Sequence, residues 1–146
     1  MLEGNQVATL WVRHAPSSAA VARRSVAAAF QKAGLSSDQA YDAALIASEL
    51  VGNAVRHGSP LPSGHLAVEW SFGNEGYTIS VTDGGHPSDR IAAREAGSMD
   101  VSGRGLMIVE ALCRDWGVAN TDGHTTVWAR GELPAEWSMP SLKSVS

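Results

Sequence analysis

The strongest constraint on this chain is a long helical pattern over residues 38–57, which ends in Ser48-Glu49-Leu50-Val51-Gly52-Asn53-Ala54-Val55-Arg56-His57-Gly58. Ser36-Ser37-Asp38 offers the cap that starts it, and Gly58 and Pro60 stop it. Ala43, Ile46, Ala47, Leu50, Val51 and Ala54 make its apolar side. At about 100° per residue, Glu49, Asn53 and Arg56 are expected on the other side, within a narrow arc. Glu49 and Asn53 are one turn apart and share a face. A carboxylate there can accept a proton or hold a water, and an amide oxygen can ligate a hard cation such as Mg²⁺.

The rest of the pattern surrounds this helix with strands. Residues 7–13 read as a short strand. Pro16-Ser17-Ser18 breaks it and caps a helix over about 19–32, which carries Val21, Val26, Ala29 and Phe30 and ends at Gly34. Residues 65–72 and 77–82 alternate apolar and polar around Gly73-Asn74-Glu75-Gly76, a hairpin signal. Residues 84–103 are rich in Gly, Pro, Ser, Asp and Arg and read as a mobile loop with a short helical turn near Ile91–Glu95. A helix from about Gly105 to Arg114 follows, then strands over 116–120 and 125–130 joined by Thr121-Asp122-Gly123. The expected order is β-α-α-β-β-loop-α-β-β. That is an α+β, two-layer sandwich: a mixed, mostly antiparallel sheet with helices on one face. Residues 1–133 form one domain, and 134–146 are expected to be a flexible tail in which Trp137 docks on a partner or on the body.

Bulk properties exclude several classes. A hydrophobic content of 44% predicts a folded core, and a net charge of −4 argues against a general nucleic-acid binder. The single cysteine, Cys113, has no internal disulfide partner and reads as core packing. The five histidines and Cys113 lack metal-ligand spacing. No apolar run is long enough to span a membrane and no signal pattern opens the chain, so a cytoplasmic location with no membrane partner is expected. Trp11, Trp70, Trp116 and Trp128 fall in strand patterns, as core or sheet surface.

Two further motifs follow the helix. Asp83-Gly84-Gly85 ends a strand. An Asp before Gly is commonly a turn residue. In the functional alternative its carboxylate accepts a hydrogen bond from the exocyclic amine of adenine, while Gly85 lets the backbone approach the ring. Ser102-Gly103-Arg104-Gly105-Leu106 opens a helix, where free N–H groups and the dipole favour phosphate. It is neither a dinucleotide fingerprint, since Ile108 replaces the third glycine, nor a P-loop.

In this order and context the three motifs resemble the ATP-binding fold shared by histidine kinases, the Hsp90 chaperone, type II topoisomerases and mismatch-repair proteins (the GHKL, or Bergerat, fold). The nearer resemblance is to anti-sigma-factor serine kinases and their actinobacterial relatives, over about residues 7–131. Ser48 to Gly58 matches the first motif, Asp83-x-Gly85 the second and Gly103-Arg104-Gly105-Leu106 the third; Gly123 to Trp128 looks like the final strand. The resemblance implies ATP and Mg²⁺ as cofactors. It implies that Asn53 ligates Mg²⁺, that Glu49 is the general base or orients the attacking hydroxyl, and that Asp83 reads adenine with Gly85 and Thr126. Gly103 and Gly105 would bind phosphate, with Arg104 either on phosphate or solvated, and 86–102 would be a lid. Two departures stand out: Pro87 stiffens the lid, and Arg104 replaces an apolar residue.

The function so implied is a serine/threonine protein kinase acting as an anti-sigma factor. Its partners would be a sigma factor and a STAS-type anti-sigma antagonist, without direct nucleic-acid binding, and the family's pairing extends to a homodimer. Arg23-Arg24 is either a solvated pair or part of such a contact. The alternative is an ATP-binding module that sequesters a partner without kinase activity. A two-component histidine kinase is disfavoured because no paired-helix segment with an acceptor histidine is present, and a chaperone-like ATPase because no transducing domain follows.

Overall fold

The computed structural model describes residues 7–85 and 103–140. Along them run β1 (Val7–Arg13), α1 (Ser18–Lys32), α2 (Ser37–His57), β2 (His65–Gly73), β3 (Gly76–Asp83), α3 (Gly103–Leu112), β4 (Asp115–Thr121) and β5 (His124–Gly131). The strands form one sheet in the order β1-β2-β3-β5-β4. Every neighbouring pair is antiparallel. The expected mixed sheet therefore narrows to an antiparallel one among the described residues. β4 runs in the same direction as β3, but β5 inserts between them and removes the parallel pairing. The expected turn near Ile91–Glu95, and Pro87, lie outside the described residues.

Local signals explain the helix ends. Ser36 and Gln39 close a capping box on α2, with Gln39 N donating to Ser36 Oγ at 3.1 Å and Ser36 N donating to Gln39 Oε1 at 3.0 Å. α1 ends in a Schellman closure, Leu35 N to Phe30 O at 3.1 Å and Gly34 N to Gln31 O at 3.0 Å. Its start differs from expectation: Ser17 holds the cap position without a side-chain cap bond. Instead the buried Ser18 donates its hydroxyl to Arg13 O at 2.6 Å, tying the helix to β1. Arg23 is not merely solvated, since it donates to Tyr41 Oη at 3.0 Å and stacks over that ring.

The core lies between the sheet and the helices. On β3, Tyr77, Ile79, Val81 and Asp83 are buried and their neighbours are not; on β5 the buried set is Thr125, Val127, Ala129 and Gly131. This face packs with Val26, Phe30, Ile46, Leu50 and Val109 in one cluster. The opposite face carries Trp11, 58% exposed, and Trp128, over which Arg130 stacks. Trp70, Trp116 and Cys113 are half-buried against the core. Burial, with the Asp115 carboxylate second, pushes the Cys113 thiol up, as core packing requires.

At the end of the sheet far from Asp83, Phe30 meets Phe72 at 4.8 Å and the edge of Tyr77 at 5.1 Å between ring centroids. Trp137 closes this cluster. It lies 5.4 Å from Phe72 and donates its indole N–H to Ala33 O at 2.9 Å. Of the two dockings open to Trp137, the body is the one observed, so the loose tail expected from Pro134 is anchored at this point; 141–146 lie outside the described residues.

Burial, then the charges of Cys113 and Asp42, push the Tyr77 phenol up from 10.0 to about 12. The folded state then holds this proton where the unfolded chain has lost it. The stabilisation is complete below the unfolded value and disappears as pH rises through the folded one. Stability is expected to fall by up to roughly 3 kcal/mol across that window. Denaturant melts along an alkaline series should show this limb, and Tyr77→Phe should flatten it.

Candidate functional site

α2 carries the first set of candidate residues toward the end of β3. Asn53 is only 5% exposed, Glu49 is half-buried and Arg56 is exposed. The expectation that all three lie on the side opposite the apolar set needs correction at Asn53, which is buried. It follows Ile46 by seven residues, which brings it back to within about 20° of that buried side chain. An amide at this edge of the apolar stripe is sheltered from bulk water.

The second motif is built against the end of α2. Asp83 is 1% exposed, on the helix side of the sheet. Its Oδ1 accepts the N–H of Gly85 at 2.7 Å, so the turn expected of an Asp before Gly is present. The other oxygen rests over the bare Cα of Gly58: a Cβ there would lie 2.1 Å from Asp83 Oδ2. Gly85 has φ +86°, and a Cβ on it would lie 1.7 Å from Gly123 O. The conformation and the space both demand glycine. Ser59 joins the two segments, since its O accepts from Gly84 N at 2.7 Å and its Oγ donates to Gly85 O at 2.6 Å. From β1, His14 Nε2 lies 3.1 Å from Gly58 O, a contact in which the ring nitrogen must donate.

The two adjacent threonines of β5 lie on opposite faces of the sheet. Thr126 pairs with Thr82 and shares its hydrogen bond, Oγ1 to Oγ1 at 2.7 Å, on the face turned away from the helices. Thr125 is the partner of Asp83 in the register, is 2% exposed and lies on the same face. It donates to Asn120 Oδ1 at 2.7 Å. Successive strand residues point to opposite faces, so one position decides which threonine joins the carboxylate. Thr125 and Ser59 were not singled out by sequence; the alternation of β5, counted from the apolar Val127 and Ala129, carried the signal for Thr125.

The third motif opens α3 at Gly103, so Gly103, Arg104 and Gly105 occupy its first turn, where backbone N–H groups lack helical acceptors. The Arg104 side chain lies outside what is described. α3 seats on the core through Leu106 and Val109. Along the α2 axis, Asn53 and Glu49 stand about 7 and 13 Å before Gly58. The site thus runs from a buried carboxylate over glycine backbone to an amide and then a second carboxylate. Around Asp83 the glycines let backbone and carboxylate pack in direct contact. Among the described residues no group of three or more His, Cys, Asp or Glu could hold a metal ion. Mg²⁺ needs only one or two protein oxygens when phosphates supply others, and Asn53 with Glu49 nearby fits that requirement.

A separate cleft of about 560 Å³, lined by Phe72, Arg114, Trp137 and Met139 among others, lies at the far end of the sheet from Asp83. No helix among the described residues is long and apolar enough to cross a membrane.

Comparison with known proteins agrees with this fold. No curated protein matches the chain by sequence. Among solved structures, the chain is similar to that of the RsbU and RsbW domains of Rv1364c from Mycobacterium tuberculosis, with a TM-score of 0.61 and 19% identity. The match covers 92% of this chain and 35% of that one, so it speaks for the fold alone. The family model of the histidine kinase-like ATPase domain matches residues 12–130, from the end of β1 to the last strand and across all three motifs. The chain belongs to the histidine kinase-like ATPase domain family.

Proposed function

We propose that the protein is an ATP-dependent serine/threonine kinase that acts as an anti-sigma factor, sequestering a sigma factor and phosphorylating a serine of a STAS-type antagonist. The observation that carries the nucleotide part is the buried Asp83 carboxylate held against Gly58 and Gly85, on the same helix-and-loop unit that presents Asn53 and Glu49. Asp83, with Thr125 beside it, would accept the adenine amine. Asn53 would hold Mg²⁺, which when bound neutralises charge on the phosphates. The first turn of α3 would meet phosphate through backbone N–H groups. Half-buried Glu49 would take the proton of the serine hydroxyl as its oxygen attacks the γ-phosphorus and ADP leaves. The phosphoserine's charge would then oppose antagonist binding. The kinase and partner parts rest on the resemblance of the motifs to anti-sigma kinases.

Calorimetry with and without Mg²⁺ tests the site. The wild type should bind ATP more tightly with Mg²⁺, and Asn53→Ala should lose that dependence. Glu49→Gln should keep ATP affinity but slow phosphotransfer to a serine antagonist by about 10²–10⁴-fold. If Glu49→Gln binds ATP and the wild type still transfers no phosphate to any antagonist that it captures, the protein is a sequestering module instead. No binding at millimolar ATP would sink the nucleotide reading altogether.

A further inference from the structure

We infer that Ser59 is a positioning residue for the adenine-reading end of the site, holding the Asp83 carboxylate in its reading geometry from outside the three motifs. The inference rests on the proposal that this pocket takes an adenine nucleotide.

Three successive peptide planes run through Asp83-Gly84-Gly85, and each is pinned by one hydrogen bond. The plane between Asp83 and Gly84 is fixed where Gly84 N donates to Ser59 O at 2.7 Å. The plane between Gly84 and Gly85 is fixed where Gly85 N donates to Asp83 Oδ1 at 2.7 Å. The plane after Gly85 is fixed where its O accepts from Ser59 Oγ at 2.6 Å. Ser59 supplies two of the three, one from its backbone and one from its side chain. Two consecutive glycines have the widest conformational freedom a chain can have, so this segment keeps one shape only if it is tied. The tie matters to the site because Asp83 Oδ1 accepts from Gly85 N, so a turn at Gly85 takes away a contact that orients the carboxylate.

Capping of α2 does not explain Ser59. The helix end is closed by Gly58 N donating to Ala54 O at 2.8 Å. The Ser59 hydroxyl points away from α2, to a carbonyl 26 positions along the chain. His14 holds the preceding carbonyl, Gly58 O, from the other side. The path His14, Gly58, Ser59, Gly85, Asp83 thus joins the β1–α1 corner and the end of α2 to the carboxylate. The hydroxyl is the link that ties Gly85 O directly, and Ser59→Ala deletes it without changing backbone.

Ser59→Ala, Ser59→Thr and wild type should be compared for ATP and GTP affinity by calorimetry, and for amide hydrogen exchange at Gly85 without nucleotide. Ser59→Ala is expected to weaken ATP by roughly fivefold, the size of one hydrogen bond between neutral groups. The ATP-over-GTP ratio should shrink with it, because GTP gains nothing from a correctly turned carboxylate, and Gly85 exchange should accelerate. Ser59→Thr should restore all three. A hydroxyl with a merely structural role would lower the melting point yet leave the ATP-over-GTP ratio unchanged. An unchanged ratio and ATP affinity in Ser59→Ala, with the wild type binding ATP, would overturn the positioning role and leave the nucleotide reading standing. Absence of ATP binding in the wild type would overturn both, whatever Gly85 exchange does.

Discussion

Gly58→Ala is expected to cost the protein about a hundredfold in ATP affinity through a single added methyl group. Gly58 has φ −110° and ψ −178°, an extended backbone that alanine adopts freely, so conformation is no obstacle. The obstacle is the site itself. The new Cβ would lie 2.1 Å from Asp83 Oδ2, 2.6 Å from its Cγ and 3.0 Å from Ala54 O. The carboxylate cannot swing aside without breaking its bond from Gly85 N. Overpacking of this kind costs about 1–3 kcal/mol of stability. Under the proposed function, a displaced carboxylate also forfeits a charge-assisted bond to the purine worth about 1.5–3 kcal/mol, which reaches about a hundredfold in affinity at its upper end. Adding Asp83→Ala to Gly58→Ala should recover part of the melting temperature, since the two nearest atoms are gone and only Ala54 O at 3.0 Å remains, but not the binding. Wild-type ATP affinity in Gly58→Ala would show that the carboxylate is not at the ring.

Phe30→Ala is expected to be the most destabilising single substitution of the core, at about 3–5 kcal/mol. Phe30 is fully buried and touches both Phe72 and Tyr77 across the helix–sheet boundary. Its removal leaves a cavity between rings that are themselves fixed to strands, so the site collapses poorly. The thermal midpoint should drop by roughly 10 °C in a scanning melt. Recovery by a smaller apolar residue such as Leu should be partial, because the edge contact with Tyr77 needs a ring.

The sequence was most legible where one period dominated. The strands of 65–72 and 77–82 alternate cleanly, and both gained only a residue or so at their ends. α2 carries its own capping box and stop signals, and its bounds followed. Asp83 and Gly85 were legible as a motif, yet the reason for Gly58 was not: its neighbour in space is Asp83, brought there by the sheet. Asn53 is ambiguous in sequence because it shares a face with Glu49, four residues before it, and also lies seven residues, or two turns, after the buried Ile46. The pair Thr125-Thr126 offers two identical side chains to opposite faces, and only the register with Asp83 tells them apart. Ser59 left no trace in the pattern, since its partners are backbone atoms of a distant turn.

The indole of Trp137 has a consequence for synthesis. It seals Phe72 and satisfies the Ala33 carbonyl, a bond that spans 104 positions of chain. α1 and the β2–β3 hairpin emerge from the ribosome long before that indole does. Until it arrives, the aromatic end of the nascent domain lacks the ring that covers Phe72. The bond to the Ala33 carbonyl can therefore close only after position 137 has been made.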